Sequence, residues 1–159
     1  MEHRVRAAVM IFKEERLLLV KHVDPHTANE WWIPPGGGLE VQDRSIIDCA
    51  VREVYEETGL EIRVGRLIYL REFLESNPAV HHIELFFLAE GFNGELTMEN
   101  IHGKGPDEDL IQELEWFARD ELQDLTVYPE MLRDEFWGDY AAGFPAVRHL
   151  GVHTDSYPR

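Results

Sequence analysis

A single cysteine, Cys49, stands in a chain of 159 residues. Its solitude excludes an intramolecular disulfide and any zinc site built from several thiolates. Basic residues are scarce too: fifteen Lys and Arg face thirty-one Asp and Glu, leaving a net charge of −16. That balance argues against general nucleic-acid binding and against an anionic membrane surface, both of which need clustered cations. No apolar run reaches the roughly 18 residues a membrane span needs. The N-terminal stretch carries Glu2 and no long apolar core, so no signal peptide is expected and a cytoplasmic location is. Repeats, low-complexity blocks and linkers are missing as well. The length suits one domain with a sizeable core.

What is present is concentrated acid beside glycine. Residues 52 to 60 read Arg-Glu-Val-Tyr-Glu-Glu-Thr-Gly-Leu, and Pro34 to Glu40 upstream read Pro-Pro-Gly-Gly-Gly-Leu-Glu. On a helix Glu53, Glu56 and Glu57 fall within roughly 100° of one another. Ile47, Ala50, Val51, Val54 and Thr58 gather on a neighbouring face, which is the stripe expected to be buried. Three carboxylates this close repel, and a bound cation removes the penalty. Hard oxygen ligands favour Mg²⁺ or Mn²⁺, which share carboxylates with substrate phosphate oxygens. The glycines leave no side chain to obstruct such a site.

The remaining pattern predicts a mixed α/β chain. Val5–Phe12 and Leu17–Val23 read as strands joined by a turn, with Trp31–Ile33 as a short third. Pro34–Gly38 is expected to turn the chain and Ser45–Thr58 to form the acidic helix, ended by Gly59. Ile62–Leu74 and Val80–Glu90 read as strands around a breaker at Ser76–Pro78, and Leu110–Phe117 as a further one. Gly91–Asp109 lacks regular pattern. Ala118–Leu122 predicts a short helix and Glu130–Ala141 a longer one, with the domain closing at 153 and a mobile tail over 154–159.

The segment Gly37–Leu60 resembles the Nudix box, written Gly-x5-Glu-x7-Arg-Glu-φ-x-Glu-Glu-x-Gly-φ with φ aliphatic. From Arg52 onward it matches at every position. Counted from Gly37, the first acidic position falls on Asp43, separated from Arg52 by eight residues instead of seven. Counted back from Arg52, it falls on Arg44. A one-residue insertion before the helix makes Asp43 the counterpart.

The resemblance implies an α/β/α sandwich with a mixed β-sheet and a Mg²⁺-dependent pyrophosphohydrolase, Mn²⁺ being a substitute. Its substrate would be a small molecule with a phosphoanhydride bond, a nucleoside diphosphate linked to another moiety. By the same resemblance Glu56 and Glu57 are metal ligands, Glu53 a further ligand or the base, and the Gly36 carbonyl another donor. Arg52 would clamp Glu53 or Glu56. A downstream acid is expected from Glu99, Asp107, Glu108 or Asp109, with Glu108 preferred because it precedes a strand. Lys21, Arg71, His81 and His82 are strand cations suited to meeting phosphate, and one of Trp31 and Trp32 is suited to stacking on a base. The resemblance admits a homodimer, although no residue pattern marks an interface. Two other readings compete. One is a catalytically silent nucleotide-binding module of the same fold; the other is a prenyl diphosphate isomerase, which would need a reactive cysteine.

Overall fold

The structure is a computed structural model describing residues 1–101 and 110–155. Its elements run β1 (Glu2–Met10), β2 (Phe12–Lys13), β3 (Arg16–Val23), β4 (Glu30–Ile33), β5 (Gly36–Gly38), α1 (Ile46–Thr58), β6 (Glu61–Ser76), β7 (Ala79–Asn93), β8 (Ile111–Phe117), α2 (Glu135–Ala141) and β9 (Arg148–Thr154). Five strands form a mixed sheet in the order β5-β1-β7-β6-β9, with β1 parallel to β7 and β9 parallel to β6. A second, antiparallel sheet joins β2, β3, β4 and β8.

Both faces of the larger sheet are buried over its central part, and β1 shows why its sequence reads as an unbroken apolar run. Ala7 and Val9 enter a cluster with Cys49, Ala50 and Val54 of α1 and Phe87 of β7. Ala8 and Met10, pointing the other way, join Trp32, Tyr69, Phe86, Phe136 and Trp137 on the side of α2. The alternation of strand side chains therefore separates two apolar sets instead of an apolar and a polar one. In β7 the same rule sends Phe87 to α1 and Phe86 to α2.

Helix α1 begins at Ser45, whose hydroxyl accepts the Asp48 N–H at 3.1 Å, a cap that contributes about 1 kcal/mol. It ends at Gly59, left-handed at φ 78°. The buried face carries Cys49, Ala50, Val54, Glu57 and Thr58. Ile47 and Val51, expected inside, are each 38% exposed. The helix is rotated so that a carboxylate, Glu57, takes part of the inner face, and the apolar stripe shifts outward in exchange.

Three further expectations are corrected. Gly36–Gly38 does not simply turn the chain: it pairs antiparallel with Arg6–Ala8 as the edge strand β5, flanked by bonds from Val9 N–H to the Pro35 carbonyl and from Leu39 N–H to the Val5 carbonyl. The helix expected over Glu130–Ala141 is broken at Asp134, where the backbone leaves helical geometry (φ −141°, ψ −84°). It forms a 3₁₀ turn, Glu130–Arg133, before α2. Thr154 is not tail but the end of β9, registered opposite Leu74. Residues 156–159 of the expected tail lie outside the described residues, as do Asp107, Glu108 and Asp109.

Candidate active site

Strand β5 and helix α1 pack against each other, and their contact assembles the carboxylates. In the β1–β5 ladder, the hydrogen bonds at Pro35 and Leu39 fix Gly37 as a bonded partner of Ala7. The polar groups of Gly36 and Gly38 thereby turn away from β1. The Gly36 N–H donates to Glu57 Oε1 at 2.8 Å, and the Gly38 carbonyl accepts from Arg52 Nη2 at 3.0 Å. A side chain is excluded between them. A Cβ on Gly37 would lie 2.4 Å from the Glu53 carboxylate, and one on Gly36 would lie 2.2 Å from the Ala7 carbonyl oxygen. The glycine run is thus the floor on which the acidic helix rests.

Arg52 organises that helix. Its Nε and Nη2 hold the two oxygens of Asp43 at 2.8 and 2.7 Å, a fork that suits a carboxylate. Its Nη1 reaches Glu53 Oε1 at 2.8 Å and Glu56 Oε2 at 3.3 Å. Arg52 thus contacts both Glu53 and Glu56, with Asp43 as a further and better aligned partner. Asp43 also accepts the Glu40 N–H at 2.8 Å. Asp43, with a side chain only 3% exposed, occupies the position facing Arg52, whereas Arg44 is exposed.

Electrostatics follow from this wiring. Hydrogen bonds from Arg52 hold the Asp43 carboxyl below its ordinary range. Burial pushes Glu53 the other way, above the usual carboxylate range, with Arg52 opposing and Glu56 adding to the rise. Burial also pushes the Cys49 thiol up to about 12, and the residue has no exposed surface. A buried thiol held protonated in this way packs and is a weak nucleophile.

Glu53, Glu56, Glu57 and the Gly36 backbone together offer hard oxygen donors of the kind Mg²⁺ and Mn²⁺ accept. As placed, no three acidic, histidine or cysteine side chains among the described residues close on one ion position. Arg52 instead lies between Glu53 and Glu56 and supplies the compensating charge.

Beside this cluster lies a cavity of about 710 Å³, whose wall includes Gly36 and Gly37. The floor of the acidic site and the wall of the cavity are thus the same backbone. Arg71 lines it, 7% exposed, with Nη1 3.2 Å from Glu84 and the guanidinium over the Tyr128 ring. His82 lines it also, whereas His81 points to the opposite face of β7 and pairs with Glu72. Lys21 is absent from the wall. It lies on the far face of β3 from His22, between Glu30 and Glu113 and over Trp32. Trp32 is core, and Trp31 reaches the cavity stacked on His22 at 5.5 Å. Glu99 is exposed in a 3₁₀ turn and does not line the cavity.

Arg6 escaped the sequence reading. It lines the cavity and acts electrostatically on Glu53, because register places it opposite both Gly38 of β5 and Glu84 of β7. Only the pairing of β1 with a glycine strand brings it there, and nothing in the local sequence marks that pairing.

The family model for the NUDIX domain matches residues 2–134. The chain is 37% identical over 83 residues to diphosphoinositol polyphosphate phosphohydrolase 3-alpha of Mus musculus, covering 52% of this chain and 49% of that protein. Against the Homo sapiens protein of the same name it is 43% identical over 63 residues, covering 40% and 38%. The chain thus aligns with about half, or less, of these relatives' length. Among solved structures, the E. coli ORF135 protein superposes with a TM-score of 0.69 at 24% identity, covering 92% of this chain and 96% of that one. An ADP-ribose pyrophosphatase from Streptococcus suis superposes with a TM-score of 0.56 at 22% identity, covering 96% and 98%. At these identities the structural likeness shows the fold alone.

Proposed function

Because this chain belongs to the NUDIX family, we propose that it is a Mg²⁺-dependent pyrophosphohydrolase, cleaving the phosphoanhydride of a nucleoside diphosphate linked to another moiety. The observation that carries the reading is one shared backbone. Gly36 and Gly37 support Glu57 and Glu53 on one side and wall the cavity on the other, so a diphosphate bound in the cavity lies beside the carboxylates. The names of the phosphohydrolase relatives support the same class of chemistry.

Glu56, Glu57, Glu53 and the Gly36 carbonyl would hold the cation. When bound, it neutralises phosphate oxygens and lowers the pKa of an attacking water. The chain's own groups then have separable tasks. Arg52 keeps Glu53 and Glu56 oriented, and the Gly36 N–H keeps Glu57 oriented. Glu53, whose proton affinity burial raises, is suited to accept a proton from water. Arg6 brings positive charge to the strip between carboxylates and cavity, where the diphosphate must lie.

The test is a screen for release of phosphate and nucleoside monophosphate, with Mg²⁺ and with Mn²⁺. Its substrates are nucleoside triphosphates, ADP-ribose, nucleotide sugars, dinucleoside polyphosphates and NADH, with Glu57→Gln as the blank. Turnover that vanishes in the variant is expected. Absence of turnover across the panel, with a nucleotide still raising the melting temperature, would move the assignment to a silent binding module.

A further inference from the structure

Helix α1 covers only part of its side of the large sheet. Toward the starts of β1 and β7, Val5, Leu70, Leu74 and Ile83 are half-buried and lie outside the apolar cluster beneath the helix. Register sets four titratable side chains on this open part, one from each of four neighbouring strands. His3 of β1 stands opposite His81 of β7, Glu72 of β6 is diagonal to His81, and His149 of β9 is diagonal to Glu72. The His3 and His81 ring centroids are 5.7 Å apart. The Glu72 carboxylate sits between two imidazoles, with Oε1 2.8 Å from His81 Nε2 and Oε2 2.7 Å from His149 Nε2. By register Glu2, Arg4 and Glu75 belong to the opposite face, and Asp155, past the end of β9, accepts from Ser76.

His149 also closes an irregularity in its own strand. Between the Leu70–His149 and Glu72–Val152 pairs β9 has one residue more than β6, and Gly151 takes up the extra step at φ 99°. The Gly151 N–H donates to His149 Nδ1 at 3.1 Å. A ring that accepts at Nδ1 carries its proton on Nε2, and that proton is the one donated to Glu72. The neutral ring therefore serves both contacts. A proton on Nδ1 sets two N–H groups against each other and ends the contact with Gly151. The bond to Glu72 gains charge in exchange, but side chains 25% and 50% exposed gain little from it. With His81 and His3 charged as well, one carboxylate faces three cations.

Strand β9 is the edge of its sheet, and its other face supplies His153 to the cavity wall and Leu150 to the core beside α2. Its ends have fastenings of their own: Arg148 to Glu135 and Asp139, and Asp155 to Ser76. Between them, the bulge rests on His149.

We propose that Glu72, His81 and His149 form a proton-sensitive clasp. Neutral imidazoles hold the middle of β9 against the sheet; mild acid releases it, and the part of the cavity wall it carries loosens too. The inference goes beyond the pyrophosphohydrolase reading and does not depend on it. Glu72 bounds the working range from below. Bonds from His149 and His81 hold its carboxyl under its ordinary range. Its contribution is therefore complete above the unfolded value, about 4.3, and is lost only as pH falls through the native one. From about pH 7.5 to 5.5 Glu72 stays ionised, and among these four side chains only the imidazoles change charge.

Hydrogen exchange of the full chain at about pH 7.5 and 5.5, each rate divided by the intrinsic rate at that pH, tests the clasp. Exchange over residues 148–154 is expected to rise roughly three- to tenfold at the lower pH, as the loss of one hydrogen bond would give, with β7 unchanged. His149→Asn keeps an oxygen acceptor for Gly151 but does not titrate, so β9 should exchange equally at both pH values. His153→Gln, on the other face of the strand, should keep the wild-type response. No rise in the wild type, a rise shared equally by β7, a full response in His149→Asn or its loss in His153→Gln would overturn the inference. The readout needs neither substrate nor metal, so a chain that fails to hydrolyse any diphosphate leaves it standing.

Discussion

Arg52 grips Asp43 with two parallel bonds of 2.8 and 2.7 Å, and the same guanidinium touches Glu53 and Glu56. Asp43 stands outside the helix, in the loop before it. The loop and the acidic face are therefore locked together through one cation, and several tests follow from that lock and from its floor.

Asp43→Ala leaves a largely buried guanidinium without its best partner. A loss of about 3 kcal/mol is expected, or roughly 6–12 °C in melting temperature. Activity should fall as well, roughly 10–100-fold, because Arg52 no longer sits where it orients Glu53. Calorimetry and steady-state kinetics check the two effects; a melting temperature within a degree of wild type would reduce the contact to a surface pair.

The pH dependence of stability carries the same signature. Asp43 titrates below its ordinary range because Arg52 bonds to its ionised form. The unfolded chain thus takes up this proton first as pH falls, so the stabilisation is complete above about pH 5 and is lost as pH drops through the native value. Asp43→Asn should flatten the acid limb of a plot of melting temperature against pH. An acid limb of unaltered slope would place acid sensitivity elsewhere.

The two glycines of the floor should fail in different ways. In Gly37→Ala the atoms nearest the new methyl belong to the far end of the flexible Glu53 side chain, which can move aside. The fold should survive within about 1 kcal/mol while activity drops up to about 10²-fold, since the carboxylate is displaced by an ångström or more. In Gly36→Ala the methyl meets backbone at 2.2 and 2.6 Å, so β5 itself must detach and stability should collapse. Thermal melts beside kinetics separate the cases, and two variants with identical profiles would contradict the geometry.

Mg²⁺ should raise the melting temperature by relieving repulsion among Glu53, Glu56 and Glu57. At ten times its dissociation constant the gain is about 1.4 kcal/mol, or roughly 3–6 °C. Glu57→Gln should shrink the shift, and a wild-type melt indifferent to millimolar metal would identify an ordinary solvated helix.

Cys49 should resist thiol reagents in the native protein and react on unfolding, its thiol being buried and pushed up to about 12. Cys49→Ser should retain hydrolysis. Rapid native labelling would show the helix face opening.

The acidic box could be read from spacing because helical geometry is local: Glu53, Glu56 and Glu57 share a face in any helix of this hand. The reach of Arg52 to Glu53 and to Glu56 one turn on follows from the same local geometry. Asp43 was legible only as a choice between two counts, and the structure resolves it because the loop brings the side chain back onto Arg52. Strand β5 was not legible, since glycine carries no alternation and its pairing with β1 is set by distant hydrogen bonds. Burial of Ile47 and Val51 was misjudged because the buried contact of Glu57 with the Gly36 N–H turns the helix, and hydropathy cannot register a satisfied carboxylate. Arg6 and His82 reach the one cavity only through sheet register, which no window of sequence contains.

Strand β9 has a consequence of its own. It lies beyond the matched segment 2–134, yet Val152, His153 and Thr154 form part of the cavity wall. The carboxylate cluster and part of the cavity wall are thus supplied by different stretches of the chain. Substitutions in this peripheral strand would reshape the cavity and leave the contacts of Arg52 with Asp43, Glu53 and Glu56 in place.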